Sequence, residues 1–146
     1  MADRTSSSIT IDAGRKEIMA VIADLPAYPS WASGIREFEV LDTGADGRAA
    51  EARMTIDASP FSDTVGLAYT WGDDDEWVRW ELIDKGNVVT SLHGSYLLAE
   101  GTGGTVVTYE LAVDIRMPVI GMLKRKAEKR ITDSALKGLK RRVEAG

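Results

Sequence analysis

The chain predicts an α+β fold in which a curved antiparallel sheet of about seven strands wraps around one long C-terminal helix, with two short helical pieces after the first strand. Two observations carry this. The segment from about Pro118 to Glu144 has helical periodicity, and a helix that long must lay its apolar stripe on something; the only surface left is the sheet that precedes it. Between about Ile35 and Arg116, apolar residues alternate and each run ends in turn chemistry. No gap there is long enough for a crossover helix, so the strands pair antiparallel.

The elements follow in order. A first strand runs from about Ser7 to Asp12, with Ile9 and Ile11 on one face, and a helix from about Arg15 to Leu25 carries Ile18, Ile22 and Leu25 at helical spacing. Asp12 is a candidate cap, and Pro26 ends the helix. Residues 27–31, Ala-Tyr-Pro-Ser-Trp, suit a single turn that could form one rim of a pocket, leading into a strand from about Ile35 to Leu41. Further strands span about Ala49–Ala58, Ser62–Trp71, Trp77–Asp84, Val88–Ala99 and Thr105–Arg116. Their turns are Asp46-Gly47, Ser59-Pro60, Asp73-Asp74-Asp75, Lys85-Gly86-Asn87 and Gly101 to Gly104.

In the last helix Ile120, Leu123, Ala127, Ile131 and Ala135 recur every three or four residues, and Pro118 fits the first turn, where its missing N–H costs nothing. At its rise per residue the segment reaches roughly 40 Å. Ala127, Ser134 and Gly138 lie on or beside the centre of the expected buried face. Small residues there permit either close helix-to-sheet contact or a cavity between the two.

By size, residues 1–146 make one domain able to bury roughly 70% of its unfolded surface. The absence of cysteine excludes disulfides, thiolate metal sites and a Cys nucleophile. No apolar run approaches a membrane span, and the start of the chain lacks the hydrophobic stretch of a signal peptide, so a cytoplasmic, soluble protein is expected. The net charge of -5 hides an asymmetry, because Lys124, Arg125, Lys126, Lys129, Arg130, Lys137, Lys140, Arg141 and Arg142 are half of all Lys and Arg, opposed there only by Glu128 and Asp133. A solvated helix face explains this, with Lys126, Lys129, Lys137 and Lys140 opposite the apolar stripe; an anionic partner such as RNA or a lipid headgroup is the other reading.

Period 2 assigns strand faces. Met54, Ile56 and Ala58 point inward, as do Val65, Leu67, Tyr69 and Trp71, then Val78, Trp80 and Leu82, then Leu92, Tyr96 and Leu98, then Val107, Tyr109, Leu111, Val113 and Ile115. Arg53, Arg79, Glu81, Thr108, Glu110 and Asp114 face solvent. The inner wall is apolar and aromatic, and the hydroxyls of Tyr69, Tyr96 and Tyr109 are its main polar points.

Ile9-Thr10-Ile11-Asp12-Ala13, the Ala27-Tyr28-Pro29-Ser30-Trp31 turn, Gly94-Ser95-Tyr96, and Gly104 to Glu110 (Gly-Thr-Val-Val-Thr-Tyr-Glu) carry a resemblance over nearly the whole chain. In these segments and in its order of elements the sequence resembles the helix-grip fold of the START-like, polyketide cyclase/dehydrase superfamily often called SRPBCC. The resemblance implies an apolar cavity between sheet and long helix, with roles ranging from carriage of lipids or other hydrophobic ligands to polyketide aromatisation and cyclisation; some similar proteins act at ribosomes or bind quinones. One departure is Gly14, where a proline is common before the first helix.

Catalytic signatures are sparse. His93 is the sole histidine, its strand parity places it outward, and no cluster has metal-ligand spacing, so neither a metal centre nor a Ser-His-Asp system is expected. The Gly101–Gly104 segment lacks the helix and Lys of a phosphate loop, and Asp73–Glu76 reads as a solvated hairpin. The candidate ligand-binding residues are Trp31, Met54, Tyr69, Trp71, Trp80, Tyr96 and Tyr109, with Ala127, Ile131 and Ser134 on the helix. The favoured function is binding or transport of a hydrophobic or aromatic small molecule, such as a lipid, a quinone or a polyketide-like compound, without a cofactor. A polyketide aromatase/cyclase is the first alternative; there the tyrosines would orient or protonate a carbonyl-rich substrate and Arg53 or another displaced cation would stabilise an enolate. Interaction with ribosome, RNA or protein through the basic helix is the second, although the acidic remainder of the chain disfavours nucleic acid. A homodimer is compatible with the sequence.

Overall fold

The computed structural model describes residues 4–32, 34–58, 61–116 and 121–145, with the backbone alone at 58, 61 and 121–123. In chain order come β1 (Thr5–Ile11), α1 (Arg15–Ala23), a 3-10 turn (Leu25–Ser30), β2 (Ile35–Thr43), β3 (Ala49–Ala58), β4 (Phe61–Trp71), β5 (Trp77–Asp84), β6 (Val89–Gly101), β7 (Gly104–Ile115) and α2 (Gly121–Glu144). The seven strands form one antiparallel sheet in the order β1-β7-β6-β5-β4-β3-β2. Each hairpin pairs with its sequence neighbour, and only β1 crosses the molecule to close against β7. This is the expected helix-grip architecture.

Two local expectations are corrected. Asp12 does not cap α1: the N-cap is Gly14, which puts Asp12 too far from the first free N–H groups, and its own backbone N–H donates to Glu144 Oε2 at 3.0 Å. The buried line of α2 is also rotated from the predicted stripe. Glu128, Thr132, Ala135, Leu136 and Leu139 are buried, whereas Ala127 and Ile131 are half-buried on its flank. Pro118 and Ile120 lie outside the described residues, as does the side chain of Leu123.

The rotation has a chemical cause. Glu128 Oε1 accepts from Thr5 Oγ1 at 2.7 Å and its Oε2 accepts from the Val113 backbone N–H at 2.8 Å, while the Thr132 and Ser7 hydroxyls pair at 3.0 Å. Pairing of β1 with β7 begins at Thr5↔Leu111, so Val113 lies two residues beyond it and receives a side chain instead of a strand. A buried polar group is tolerated only when bonded, and these two are. Farther along, Gly138 answers the question posed by the small residues: a Cβ there would collide with the backbone carbonyl of Trp31, so this position is close contact between α2 and the turn after α1, not open space. Lys140, expected opposite the stripe, instead folds over β1, donating to Thr10 O at 2.9 Å and to Glu144 Oε2 at 2.6 Å.

At the other end of the sheet Asp63 of β4 fastens the β5–β6 turn. Its carboxylate accepts backbone N–H bonds from Asn87 at 2.9 Å, Val88 at 3.0 Å and Val89 at 2.8 Å. Gly86 is required beside it, since a Cβ there would overlap the carboxylate. Burial opposes the charge, yet the donors from Val89, Val88, Asn87 and Thr64 prevail and hold the carboxyl below its ordinary 3.8.

A depressed acid stabilises the fold above its unfolded pKa, and that stability is lost as pH falls through the folded value. Asp63→Asn, which leaves at least one of these N–H groups unpaired, should therefore cost about 1–3 kcal/mol at neutral pH. It should also flatten the decline of stability below about pH 4. Urea denaturation across that range measures both; a variant with the parent's slope on acidification would refute the assignment.

Candidate ligand-binding site

Between the concave face of the sheet and α2 lies a cavity of about 60 Å³. Its sheet wall is built by alternation: Met54 and Ile56 from β3, Tyr69 from β4, Trp80 from β5, Leu92 and Tyr96 from β6, and Tyr109, Leu111 and Val113 from β7. Ile131 and Ala135 of α2 form the opposite wall, and Tyr28, Ala32 and Gly34 bring the 3-10 turn and its exit to one side. Gly34, Ile35 and Ile131 are the lining residues that are only half-buried, so the mouth opens between the start of β2 and α2.

The rings form a connected series. Tyr69 stacks on Trp71 at 5.6 Å and on Trp80 at 5.7 Å; Trp80 meets Tyr96 at 5.5 Å and the edge of Tyr109 at 5.8 Å, and Tyr96 lies 4.7 Å from Tyr109. Tyr28 and Phe38 extend the series toward the mouth, 5.0 Å apart edge-on, with Phe38 6.3 Å from Tyr69. Trp80 lies flat only because Gly94 faces it across the β5–β6 pair, where a Cβ would penetrate the indole.

The polar inventory is short. The Tyr28 hydroxyl donates to the backbone carbonyl of Ile22. Among the described residues no hydrogen bond satisfies the hydroxyls of Tyr69, Tyr96 or Tyr109, and none of the three is a sealed, unpartnered atom; that condition belongs to Trp31 Nε1. These hydroxyls therefore border the cavity space. Burial first, then neighbouring tyrosines, raise Tyr69 and Tyr96 well above the ordinary 10.0, and burial raises Tyr109, so all three remain protonated donors at neutral pH.

Of the residues singled out from sequence, Met54, Tyr69, Trp80, Tyr96, Tyr109 and Ile131 meet around this cavity. Trp31, Trp71, Ala127 and Ser134 do not line it. Trp31 is buried behind Tyr28, its ring 4.6 Å away, with its carbonyl against Gly138. Trp71 closes the far end of the ring series, where its indole N–H donates to Ala49 O at 2.7 Å and Arg48 lies 5.0 Å over its face. Ala127 and Ser134 are half-buried on the solvent flank of α2 because the Glu128 anchor turns them away. Arg53 is exposed on the outer face and paired with Glu39 at 3.2 Å, so it cannot reach a substrate in the cavity. His93 also faces outward, 3.9 Å from Glu81. Among the described residues no acidic or histidine cluster could hold a metal, and no helix is long and apolar enough to cross a membrane.

An aromatic cavity gripped between a seven-stranded sheet and a terminal helix is matched by a sequence family: residues 11–140 fit the one described as polyketide cyclase / dehydrase and lipid transport. The chain belongs to this family. Solved structures share its architecture. A START superfamily protein from Mycobacterium smegmatis superposes with a TM-score of 0.88 at 22% identity, covering 97% of each chain. The Zhui aromatase/cyclase from Streptomyces sp. R1128 superposes with a TM-score of 0.82 at 12% identity, covering 99% of this chain and 94% of the other. A protein from Thermus thermophilus gives 0.82 at 21% identity, with 98% of both chains covered. No curated protein matches. The family and the shared fold agree: this is a helix-grip domain of the polyketide cyclase / dehydrase and lipid transport family.

Sequence reasoning missed Tyr28 and Phe38 as lining residues of this domain. Phe38 had a usable signal, since it pairs with inward-facing Met54 across β2–β3. Tyr28 lies in the 27–31 turn expected to form a pocket rim, but Trp31 was the ring singled out there; the direction of a side chain on a short 3-10 turn is set by the packing around it, and it is Tyr28 that lines the cavity.

Gly94→Ala should force Trp80 off the wall and cost about 1–3 kcal/mol, the usual penalty of overpacking. Thermal melts with tryptophan emission follow both effects; unchanged emission and stability would show that Trp80 is not held by Gly94.

Proposed function

We propose that this START-like domain binds an apolar, ring-containing small molecule that carries carbonyl or hydroxyl oxygen, in the cavity between sheet and α2. The observation that carries the reading is three protonated tyrosine hydroxyls without protein partners at the border of an otherwise apolar, aromatic cavity. Apolar surface supplies affinity, and a few placed donors supply orientation. A quinone, a polyphenol or a polyketide-like polycycle has both features. Carriage of such a compound within a cytoplasmic setting, by residues 1–146 acting as one domain, completes the proposal.

Binding is favoured over aromatase/cyclase chemistry by what the lining lacks. Among the described residues no lining side chain other than the tyrosines is ionisable, so these offer proton donors but no carboxylate or imidazole to accept a proton from carbon. The likeness to the Zhui aromatase/cyclase is one of fold.

A thermal-shift screen of quinones, fatty acids and polycyclic aromatics tests the reading. A ligand at about 100 times its dissociation constant adds roughly 2.7 kcal/mol of stability. Tyr96→Phe or Tyr109→Phe should weaken an oxygen-bearing ring ligand about 2- to 10-fold, the worth of one neutral hydrogen bond, and leave binding of a plain hydrocarbon of the same shape unchanged. No shift with any compound, or equal losses for both ligand types, would refute the assignment.

A further inference from the structure

All four tyrosines of the chain line the cavity, and none of its cations does. Every Lys and Arg and the sole histidine lie among the described residues, so no positive side chain is left elsewhere in the sequence to reach the site. On the strands Arg36, Arg53, Arg79 and His93 are exposed. On α2 Lys124 and Lys140 are half-buried and the other cations exposed; Lys124 is turned to Asp114 at 2.9 Å and Lys140 to the Thr10 carbonyl at 2.9 Å. The buried charged groups on the elements that wall the cavity are Asp63 of β4 and Glu128 of α2, both acids.

The titratable groups that face the interior are therefore Tyr28 from the 3-10 turn, Tyr69 from β4, Tyr96 from β6 and Tyr109 from β7, with none from β2, β3, β5 or α2 among the described lining residues. These tyrosines report what a negative charge costs there. Burial, first of all, holds each of them above the ordinary 10.0, and for Tyr28, Tyr69 and Tyr96 neighbouring tyrosines add to it. A carboxylate placed among them would meet the same surroundings, with no cation to offset its lost hydration. A ketone or quinone oxygen gives up far less water and still accepts from a hydroxyl.

We propose that the cavity admits its ligand only in uncharged form, so that neutral ketones and quinones enter directly, carboxylic acids enter only with their proton, and phosphorylated compounds are excluded. The inference rests on the cavity being the ligand site. The net charge of -5 acts in the same direction, by repelling anions before they reach the mouth.

Matched pairs of aryl methyl ketone and aryl carboxylic acid, on phenyl, naphthyl and anthracenyl rings, test it, since within a pair only a methyl group and a hydroxyl are exchanged. Dissociation constants are measured by calorimetry between about pH 5 and pH 8, above the ordinary pKa of a carboxylic acid. A ketone that fits should bind with the same constant throughout, which controls for any change in the protein. Its acid partner should weaken about 10-fold per pH unit, because only the protonated fraction binds. An acid that binds as tightly as its ketone, without dependence on pH, would overturn the inference and leave the pocket standing. No binding by any of the three ketones would overturn the pocket and the inference with it. Ile131→Lys brings an ammonium to a lining position that is already half-exposed. It should narrow the gap between acid and ketone at about pH 8 by roughly 10-fold. An unchanged gap in a variant that keeps the parent's melting temperature would also overturn the inference.

Discussion

A buried carboxylate sets the geometry on which the cavity depends. Glu128 holds α2 to β1 through Thr5 and to β7 through the Val113 N–H, at a point where the sheet has run out of backbone partners. Removing such an acceptor would leave a buried N–H unbonded, so the helix has one favoured rotation about its axis. That rotation puts Ile131 and Ala135 over the sheet, and it turns Ala127 and Ser134 away. At the far end Gly138 lets the helix descend onto the Trp31 carbonyl. Anchored at one end by hydrogen bonds and at the other by contact, α2 spans the sheet and leaves a gap over its centre.

The gap is floored by rings because the inward positions of β4 to β7 opposite it, Gly94 excepted, bear aromatic or bulky side chains. Trp80, the central ring, touches Tyr69, Tyr96 and Tyr109, and it occupies its place because Gly94 yields the space beneath it. The same low-polarity setting that raises the tyrosine pKa values keeps the hydroxyls as neutral donors, a property suited to a carbonyl oxygen and unsuited to abstracting a proton.

Much of this was legible in the chain, for physical reasons that differ by element. Strand faces follow from a period of 2, which tolerates no error of phase without burying charge, so the inward placement of Met54, Tyr69, Trp80, Tyr96 and Tyr109 was readable from alternation. The helix was harder. A hydropathy stripe ranks Glu128 and Thr132 as surface, yet their partners Thr5, Ser7 and Val113 are more than a hundred residues away or hidden in backbone, and the resulting turn of the helix misplaced Ala127 and Ser134. Small residues likewise carry no sign of their purpose. Gly138 makes room for a carbonyl and Gly94 for an indole, and only the fold distinguishes either from an empty site.

Occupation of the space between the sheet and α2 by an apolar ring ligand is tested most directly by ligand-to-protein NOEs. The protein carries isotope-labelled methyl groups, and the ligand is a ring compound bearing carbonyl oxygen that raises the melting temperature. Contacts from one ligand to both the Met54 methyl on the sheet and the Ile131 methyls on the helix are predicted, because these face each other across the cavity. Contacts confined to Leu97 on the outer face of β6, with none to Met54 or Ile131, would contradict it.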